Sequence, residues 1–170
     1  MWLQSGGYST FYTGKLFNAH TTENYNSPYP ADWTASDFLL DPFTYQYLNA
    51  TTQRNRDPPV SWEGHYTTDV IAEKAYGFID DAAPLGDPFF LTVATVAPHS
   101  NVAAFEIDLD DPLNSPLDSI VEVVTPPIPA KRHKHLFPEA KILRTENFNP
   151  DKVSLCYVLA ISFVLVTDNF

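Results

Sequence analysis

Residues 89–97 read FFLTVATVA, a nearly continuous apolar run that decides the fold class. A run of apolar and β-branched residues without alternation is typical of a strand covered on both faces, as in a parallel sheet. Pro98 ends this strand and His99 follows it. Ligands of open α/β sheets gather beyond the carboxyl ends of the strands, so His99 stands where it could take part in chemistry. A histidine whose hydrogen bonds are satisfied within the loop is the alternative interpretation.

An amphipathic helix precedes this strand. Either Thr67 or Thr68 can cap its first turn, Asp69 suits the helix dipole there, and Pro84 ends it. The residues on its apolar face are Val70, Ile71, Ala75, Phe78 and Ile79, whereas Glu73, Lys74 and Asp80 point away. A helix followed by a buried strand is half of a βαβ unit, which predicts an α/β layered fold.

The rest of the chain has less regular patterning. Residues 1–20 indicate the end of a helix, a glycine break and a short strand that ends at Gly14-Lys15. Residues 21–66 are rich in Asn, Tyr, Pro and Asp without a sustained period, which predicts a long surface excursion. Residues 101–152 are expected to be loop-like, and their basic cluster, residues 131–135, is either a solvated face or an anion-binding loop.

Composition limits the classes of partner. The chain has 170 residues, 44% of them hydrophobic, which fits one ordinary domain or part of a larger one. A formal net charge of -11 argues against nucleic acid as a partner, because phosphate binding depends on clustered Lys and Arg. A single cysteine, Cys156, excludes an internal disulfide framework and a multi-cysteine zinc site. The oligomeric state is not indicated.

Signals for membranes and secretion are sparse. The longest apolar run, residues 155–166, is shorter than the roughly 20 residues that a membrane helix needs, so no membrane partner is expected. Residues 1–7 lack the regions of a signal peptide, which leaves the localisation open. The sequon Asn49-Ala50-Thr51 predicts a glycan on Asn49 if the protein enters the secretory pathway, and chance occurrence is the alternative.

Five segments, in this order and spacing, resemble one family over roughly residues 2–152. They are GYSTFYTGKLFNAH (7–20), YTTDV (66–70), PFFL (88–91), APHS (97–100) and RTENFNP (144–150). The chain resembles a sulfatase of the fungal arylsulfatase type, related to the N-acetylglucosamine-6-sulfatase branch. The resemblance implies part of an alkaline-phosphatase-like sheet-and-helix sandwich, and an enzyme that hydrolyses small-molecule or sugar sulfate esters.

The resemblance also implies roles for three residues. Lys15 matches the family lysine that contacts the sulfate, and His99 matches the histidine near the leaving-group oxygen. Asn18 lies where many sulfatases have a histidine, so it is expected to stand in as a neutral hydrogen-bonding group. Residues 21–66 are expected to form one wall of the substrate pocket. We expect Lys15 and His99 to project from neighbouring strand ends into a shared anion pocket.

Sulfatases use calcium and a formylglycine nucleophile made within Cys-x-Pro-Ser-Arg or its serine variant. This chain has no such pentapeptide, and we assign it no metal ligand, because the paired aspartates of the family would precede Met1. Met1 therefore looks like an internal start, and we expect this polypeptide alone to lack turnover. Residues 1–152 are interpreted as part of the N-terminal catalytic domain, without its first strand and the C-terminal portion. Family members are typically secreted or lysosomal/vacuolar.

Residues 153–170 do not resemble the family. We interpret them as an apolar tail and hypothesise that it is translated from an intron. Three readings compete with the sulfatase segment: a truncated α/β fragment without catalysis, a phosphodiesterase or phosphonate hydrolase of the same superfamily, and an interaction module built on residues 21–66.

Overall fold

The computed structural model describes residues 2–106, 120–141, 143 and 145. The chain divides into two compact units, Met1–Lys131 and Arg132–Phe170, and every element below lies in the first. The elements are α1 (Trp2–Ser5), β1 (Ser9–Lys15), β2 (Ala35–Leu39), β3 (Asn49–Arg54), β4 (Val60–Glu63), α2 (Thr67–Ala82), a 3₁₀ turn (Ala83–Leu85), β5 (Phe89–Ala94), β6 (Asn101–Glu106) and β7 (Ile120–Thr125).

A five-stranded mixed sheet forms the centre of this unit, with the strand order β4-β3-β2-β1-β5. The strand β1 pairs in parallel with both β2 and β5, while β3 runs antiparallel to β2 and β4. Strands β6 and β7 form a separate antiparallel pair. The predicted α/β class is confirmed. Because β1 and β5 are parallel and in register, their carboxyl ends lie side by side.

The helix α2 packs on one face of the sheet and confirms the predicted amphipathic helix. Two clusters of buried side chains join them: Phe11, Phe78 and Ala82 in one, and Leu39, Ala50 and Ile71 in the other. Full burial of a Phe, Leu or Ile side chain of this kind contributes about 1.5–3 kcal/mol. Among the residues that the structure describes, no helix is long and apolar enough to cross a membrane.

Three details of α2 differ from the sequence prediction. Tyr66 is the N-cap residue, and its side chain makes no cap hydrogen bond. The Thr67 hydroxyl, which was expected to be able to cap the first turn, instead donates to the carbonyl oxygen of Gln46 at 2.6 Å. Ile79 is 42% exposed, since it lies just off the buried stripe. Lys74 folds back toward the sheet, where its ammonium lies 3.1 Å from a carboxylate oxygen of Asp37.

The strand β5 is present, but the expectation that it is covered on both faces is wrong for this chain. It ends at Ala94 and lies at the edge of the five-stranded sheet, with β1 as its neighbour. Phe89, Phe90 and Val93 are each exposed by more than two fifths. Because Phe89 and Phe90 point to opposite faces of a strand, apolar surface is open on both sides.

The prediction of a surface excursion over residues 21–66 is also wrong. This stretch contains β2, β3 and β4, and it supplies core residues such as Phe38 and Leu40, both with no exposed surface. Its strands were missed because several of their inward side chains are polar, as at Asp37 and Gln53.

The loop-like prediction for residues 101–152 is wrong at β6 and β7. Residues 131–135 are exposed and form a turn. The predicted boundary at residue 152 and the tail 153–170 lie outside the described residues.

Candidate active site

Lys15 is the last residue of β1, and the glycine before it sets how closely β5 approaches. Gly14 has a φ of 106°, a backbone conformation that favours glycine, and it is in register with Ala94. A Cβ at Gly14 would overlap the carbonyl oxygen of Ala94. The absence of a side chain at this position therefore allows the two strand ends to lie close together beside Lys15.

His99 lies in the turn that follows β5, and three hydrogen bonds fix it. Its backbone N–H donates to Val96 at 2.9 Å, and its carbonyl oxygen accepts from the Tyr47 hydroxyl at 2.8 Å. Its ring Nδ1 lies 2.9 Å from the carbonyl oxygen of Ser100. A carbonyl oxygen only accepts, so Nδ1 carries the hydrogen, and Nε2 is left as the nitrogen that can exchange a proton with a ligand.

Tyr47, in the connection between β2 and β3, stabilises the turn through its hydrogen bond to the carbonyl oxygen of His99. Burial, with a smaller contribution from Tyr66, raises the pKa of the Tyr47 phenol above its ordinary value of 10.0. The phenol therefore stays protonated and continues to donate to His99. The neighbouring amide of Asn101 adds a second link, since its oxygen accepts from the Tyr47 backbone N–H at 3.1 Å.

The two predicted site residues, Lys15 and His99, both contact the ring of Tyr45. The Lys15 Nζ is 5.0 Å from the centroid of this ring, and the His99 imidazole stacks on it with a centroid separation of 4.2 Å. The structure thus brings Lys15 and His99 to one aromatic side chain. Their roles toward sulfate stay predictions.

Asn18 joins the same cluster. Its amide oxygen accepts a hydrogen bond from the Lys15 ammonium, and the Tyr45 hydroxyl lies 3.4 Å from that oxygen. An amide whose oxygen is engaged in this way can still donate from its nitrogen. We refer to Lys15, Asn18, Tyr45 and His99 together as the cation cluster. It presents an ammonium, an imidazole, an amide and a phenol, which is a set of groups suited to an anion.

Tyr45 is the member that the sequence did not single out. It lies in the connection between β2 and β3, thirty residues beyond Lys15, and the tyrosine-rich text of that connection carries no specific motif. The only indication of Tyr45 in the sequence is therefore the tyrosine-rich composition of this connection. Only the tertiary fold places this ring against the ends of β1 and β5.

The other predicted features receive less support. Asn49 begins β3, and its amide donates to the side-chain oxygen of Gln46 at 3.0 Å, while Thr51 of the sequon is buried. Its glycosylation stays a prediction. Within residues 2–106, 120–141, 143 and 145, no three His, Cys, Asp or Glu side chains come together as metal ligands. The described residues therefore do not by themselves fit calcium. Cys156 lies outside the described residues.

Comparison with known proteins gives the family. The family model described as Sulfatase matches residues 1–116. An arylsulfatase of Volvox carteri is 37% identical over 142 residues, and an arylsulfatase of Chlamydomonas reinhardtii is 32% identical over 143 residues. Each alignment covers 84% of this chain and 21% of the relative.

A third relative is the sulfatase ppz1 of Metarhizium majus, 32% identical over 111 residues, which are 65% of this chain and 22% of that protein. The relatives thus include algal proteins as well as one from Metarhizium, so the expected fungal type is not singled out. The chain spans about a fifth of the length of the curated relatives that it matches. Because the family model covers more than half of its residues, the chain belongs to the sulfatase family.

Proposed function

We propose that this chain supplies the sulfate-binding side of a sulfuric ester hydrolase site, and that the substrate is a small-molecule or sugar sulfate monoester. The observation that carries the proposal is the contact of Lys15 and His99 with one ring, that of Tyr45. Membership of the sulfatase family supports the choice of sulfate over other anions.

Lys15 is proposed to bind the sulfate oxygens. Its ammonium is a compact positive charge, and Asn18 and the Tyr45 ring already hold it in place. A charge that is positioned before the reaction stabilises a transition state without the cost of reorganisation. The amide nitrogen of Asn18 can add a neutral hydrogen bond to the same anion.

His99 is proposed to act on the leaving group. When the S–O bond breaks, the bonding electron pair leaves on the ester oxygen, and a protonated imidazole can donate a proton to that oxygen. The Ser100 carbonyl fixes the hydrogen on Nδ1, so Nε2 is the atom that would donate. General acid catalysis of this kind typically contributes about 10² to 10⁴ in rate.

A nucleophile and a metal are needed in addition. The resemblance implies formylglycine and calcium for a complete enzyme, and the described residues offer no ligand set for calcium. The part played by this chain's described residues is therefore anion binding and leaving-group protonation. We propose that the 170-residue polypeptide binds sulfate esters without hydrolysing them.

The experiment is an NMR titration of the 170-residue chain with methyl sulfate, the smallest monoester. Lys15→Ala is expected to weaken binding about tenfold or more, because a hydrogen bond to a charged group is lost. Lys141→Ala, which removes an exposed lysine elsewhere, serves as the control and should bind as the wild type does. Unchanged affinity in Lys15→Ala would contradict the proposal. Tighter, Lys15-dependent binding of methyl phosphate would indicate phosphoryl chemistry instead.

A further inference from the structure

A short exposed segment of the second unit combines positive charge with apolar side chains. Arg132 and Lys134 supply two fixed positive charges, and every residue from 132 to 141 is exposed. No Asp or Glu occurs between residues 123 and 138, although the whole chain carries a net charge of -11. We refer to residues 132–137 as the basic turn. Its local charge is therefore opposite in sign to that of the chain.

The charge of Lys134 is available to a partner. Within the described residues its ammonium forms no ion pair, and the next carboxylate along the chain is that of Glu139. Charges at the surface are largely screened from one another beyond about 8 Å at physiological ionic strength. The acidic groups elsewhere in the chain therefore do not prevent the basic turn from attracting an anionic partner.

Two large apolar side chains follow these charges directly. Leu136 is 47% exposed and Phe137 is 80% exposed. The Leu136 N–H donates to the carbonyl oxygen of His133 at 2.9 Å, and the Ala140 N–H donates to that of Phe137 at 3.0 Å, so two tight turns hold the pair. Phe137 has a φ of 55°, which is uncommon for a bulky residue and is typical of positions kept for a function. The fold thus presents both side chains to solvent.

Different anionic partners would use this combination differently. A polyanion in solution, such as duplex DNA or a sulfated polysaccharide, takes its affinity from the cations and leaves both apolar side chains unused. A single-stranded nucleic acid could stack a base on Phe137 but would leave Leu136 unused. An anionic bilayer attracts the cations to its headgroups and also accepts apolar side chains at the boundary of its acyl chains. The bilayer therefore accounts for all of the features together.

We propose that the basic turn binds the surface of an anionic phospholipid bilayer, with Arg132 and Lys134 at the headgroups and Leu136 and Phe137 in the boundary beneath them. The inference is independent of the proposed sulfate site. The prediction that the chain has no membrane partner rests on the absence of a run long enough to span a bilayer, and a contact with the bilayer surface needs no such run.

The test is flotation of the 170-residue chain with vesicles of phosphatidylcholine alone or with phosphatidylserine added. The chain should bind the vesicles that contain phosphatidylserine about tenfold or more tightly. Lys134→Ala should weaken this binding about fivefold, which corresponds to about 1 kcal/mol for one cation near the surface. Arg56→Ala is the matched control, because it removes one exposed positive charge elsewhere. It should bind as the wild type does.

The apolar part of the turn is tested separately. Phe137→Ala should weaken binding to the anionic vesicles about two- to tenfold, because less apolar surface enters the bilayer. Phe137→Leu should retain most of the binding, since a bilayer accepts any large apolar side chain. Tyr76→Ala is the control, because Tyr76 is an aromatic residue of α2 that is 67% exposed, and it should change nothing. Since Phe137 is mostly exposed, its replacement should not prevent folding.

Four outcomes would overturn the inference. They are no binding to either vesicle, and equal binding to both, which would show that another apolar segment, such as residues 155–166, holds the chain on lipid. An unchanged affinity of Phe137→Ala would indicate a site for polyanions, which Lys134-dependent binding of heparin or duplex DNA would identify. Equal losses in Phe137→Ala and Phe137→Leu, with Lys134-dependent binding of a single-stranded oligonucleotide, would indicate base stacking instead.

Discussion

The ring of Tyr45 stacks on the imidazole of His99, with the centroids 4.2 Å apart and the planes inclined by 26°. The Lys15 Nζ lies 5.0 Å from the centroid of the same ring, in a cation–π contact. One uncharged side chain thus orients two groups that can carry positive charge. An aromatic stacking contact is worth about 0.5–1.5 kcal/mol and a cation–π contact at an exposed site about 0.5–1 kcal/mol, enough to bias the orientation of both groups.

Replacing Tyr45 therefore tests whether the ring positions the cluster. Tyr45→Ala should weaken methyl sulfate binding about two- to tenfold, because Lys15 and His99 lose their common support. Tyr45→Phe keeps the ring and loses only the 3.4 Å contact of the hydroxyl with Asn18, so it should bind almost as the wild type does. Equal losses in the two variants would show that the ring itself has no positioning role.

The close approach of β1 and β5 depends on Gly14. Gly14→Ala should lower the free energy of unfolding by more than about 2 kcal/mol, since both the positive φ and the overlap with Ala94 are unfavourable. Gly64→Ala is the control, because Gly64 has a φ of 82° but nothing within 4 Å of its position for a Cβ. It should lose about 1 kcal/mol. Denaturant titrations that give equal losses would contradict the proposed overlap.

The ion pair between Lys74 of α2 and Asp37 of β2 has a fully buried carboxylate and a lysine side chain that is 21% exposed. Asp37 has no exposed surface, and the Lys74 ammonium also lies 4.2 Å from the Trp62 ring. Lys74→Met should therefore cost about 3–5 kcal/mol, because it leaves a buried carboxylate without its partner. The double variant Asp37→Leu/Lys74→Met should recover much of that loss in chemical denaturation.

The exposed pair of Arg54 and Asp81 provides the contrast. Its atoms are 2.6 Å apart, yet the two side chains are 34% and 54% exposed. Asp81→Asn should cost less than about 1 kcal/mol. If Lys74→Met cost no more than Asp81→Asn, the buried pair would have no special part in stability.

The raised pKa of Tyr47 predicts a dependence on alkaline pH. Its pKa lies above 10.0 in the folded chain, so the unfolded chain loses the phenolic proton first. The stabilisation is complete below pH about 10 and is lost as the pH rises through the folded pKa. Tyr47→Phe should therefore show a smaller decline in the free energy of unfolding as the pH rises above about 10. Parallel declines in the two proteins would contradict this role.

The regular elements could be predicted where the apolar pattern is local. The period of α2 and the apolar run of β5 are both visible in the sequence, and both elements form. The strand β2 could not be predicted in this way, because Asp37 within it reads as a turn residue. Its charge is matched by Lys74, which is distant in sequence and meets it only when α2 packs on the sheet.

The candidate site could likewise be predicted only in part. Lys15 ends β1 and His99 follows β5, and the carboxyl ends of two such parallel strands lie next to each other. Tyr45 comes from a connection between antiparallel strands, where no general rule places a side chain. The burial of β5 failed as a prediction for a related reason: an apolar run shows that a strand can be covered, but its neighbours depend on the rest of the sheet.

The most direct measurement follows the His99 imidazole and the Lys15 ammonium by NMR during one titration with methyl sulfate. If the two groups bind one anion, both signals shift with the same dissociation constant in the wild type. In Lys15→Ala the His99 shift should then require about tenfold more ester. Shifts with different dissociation constants, or a His99 response that is unchanged in Lys15→Ala, would contradict a shared anion site.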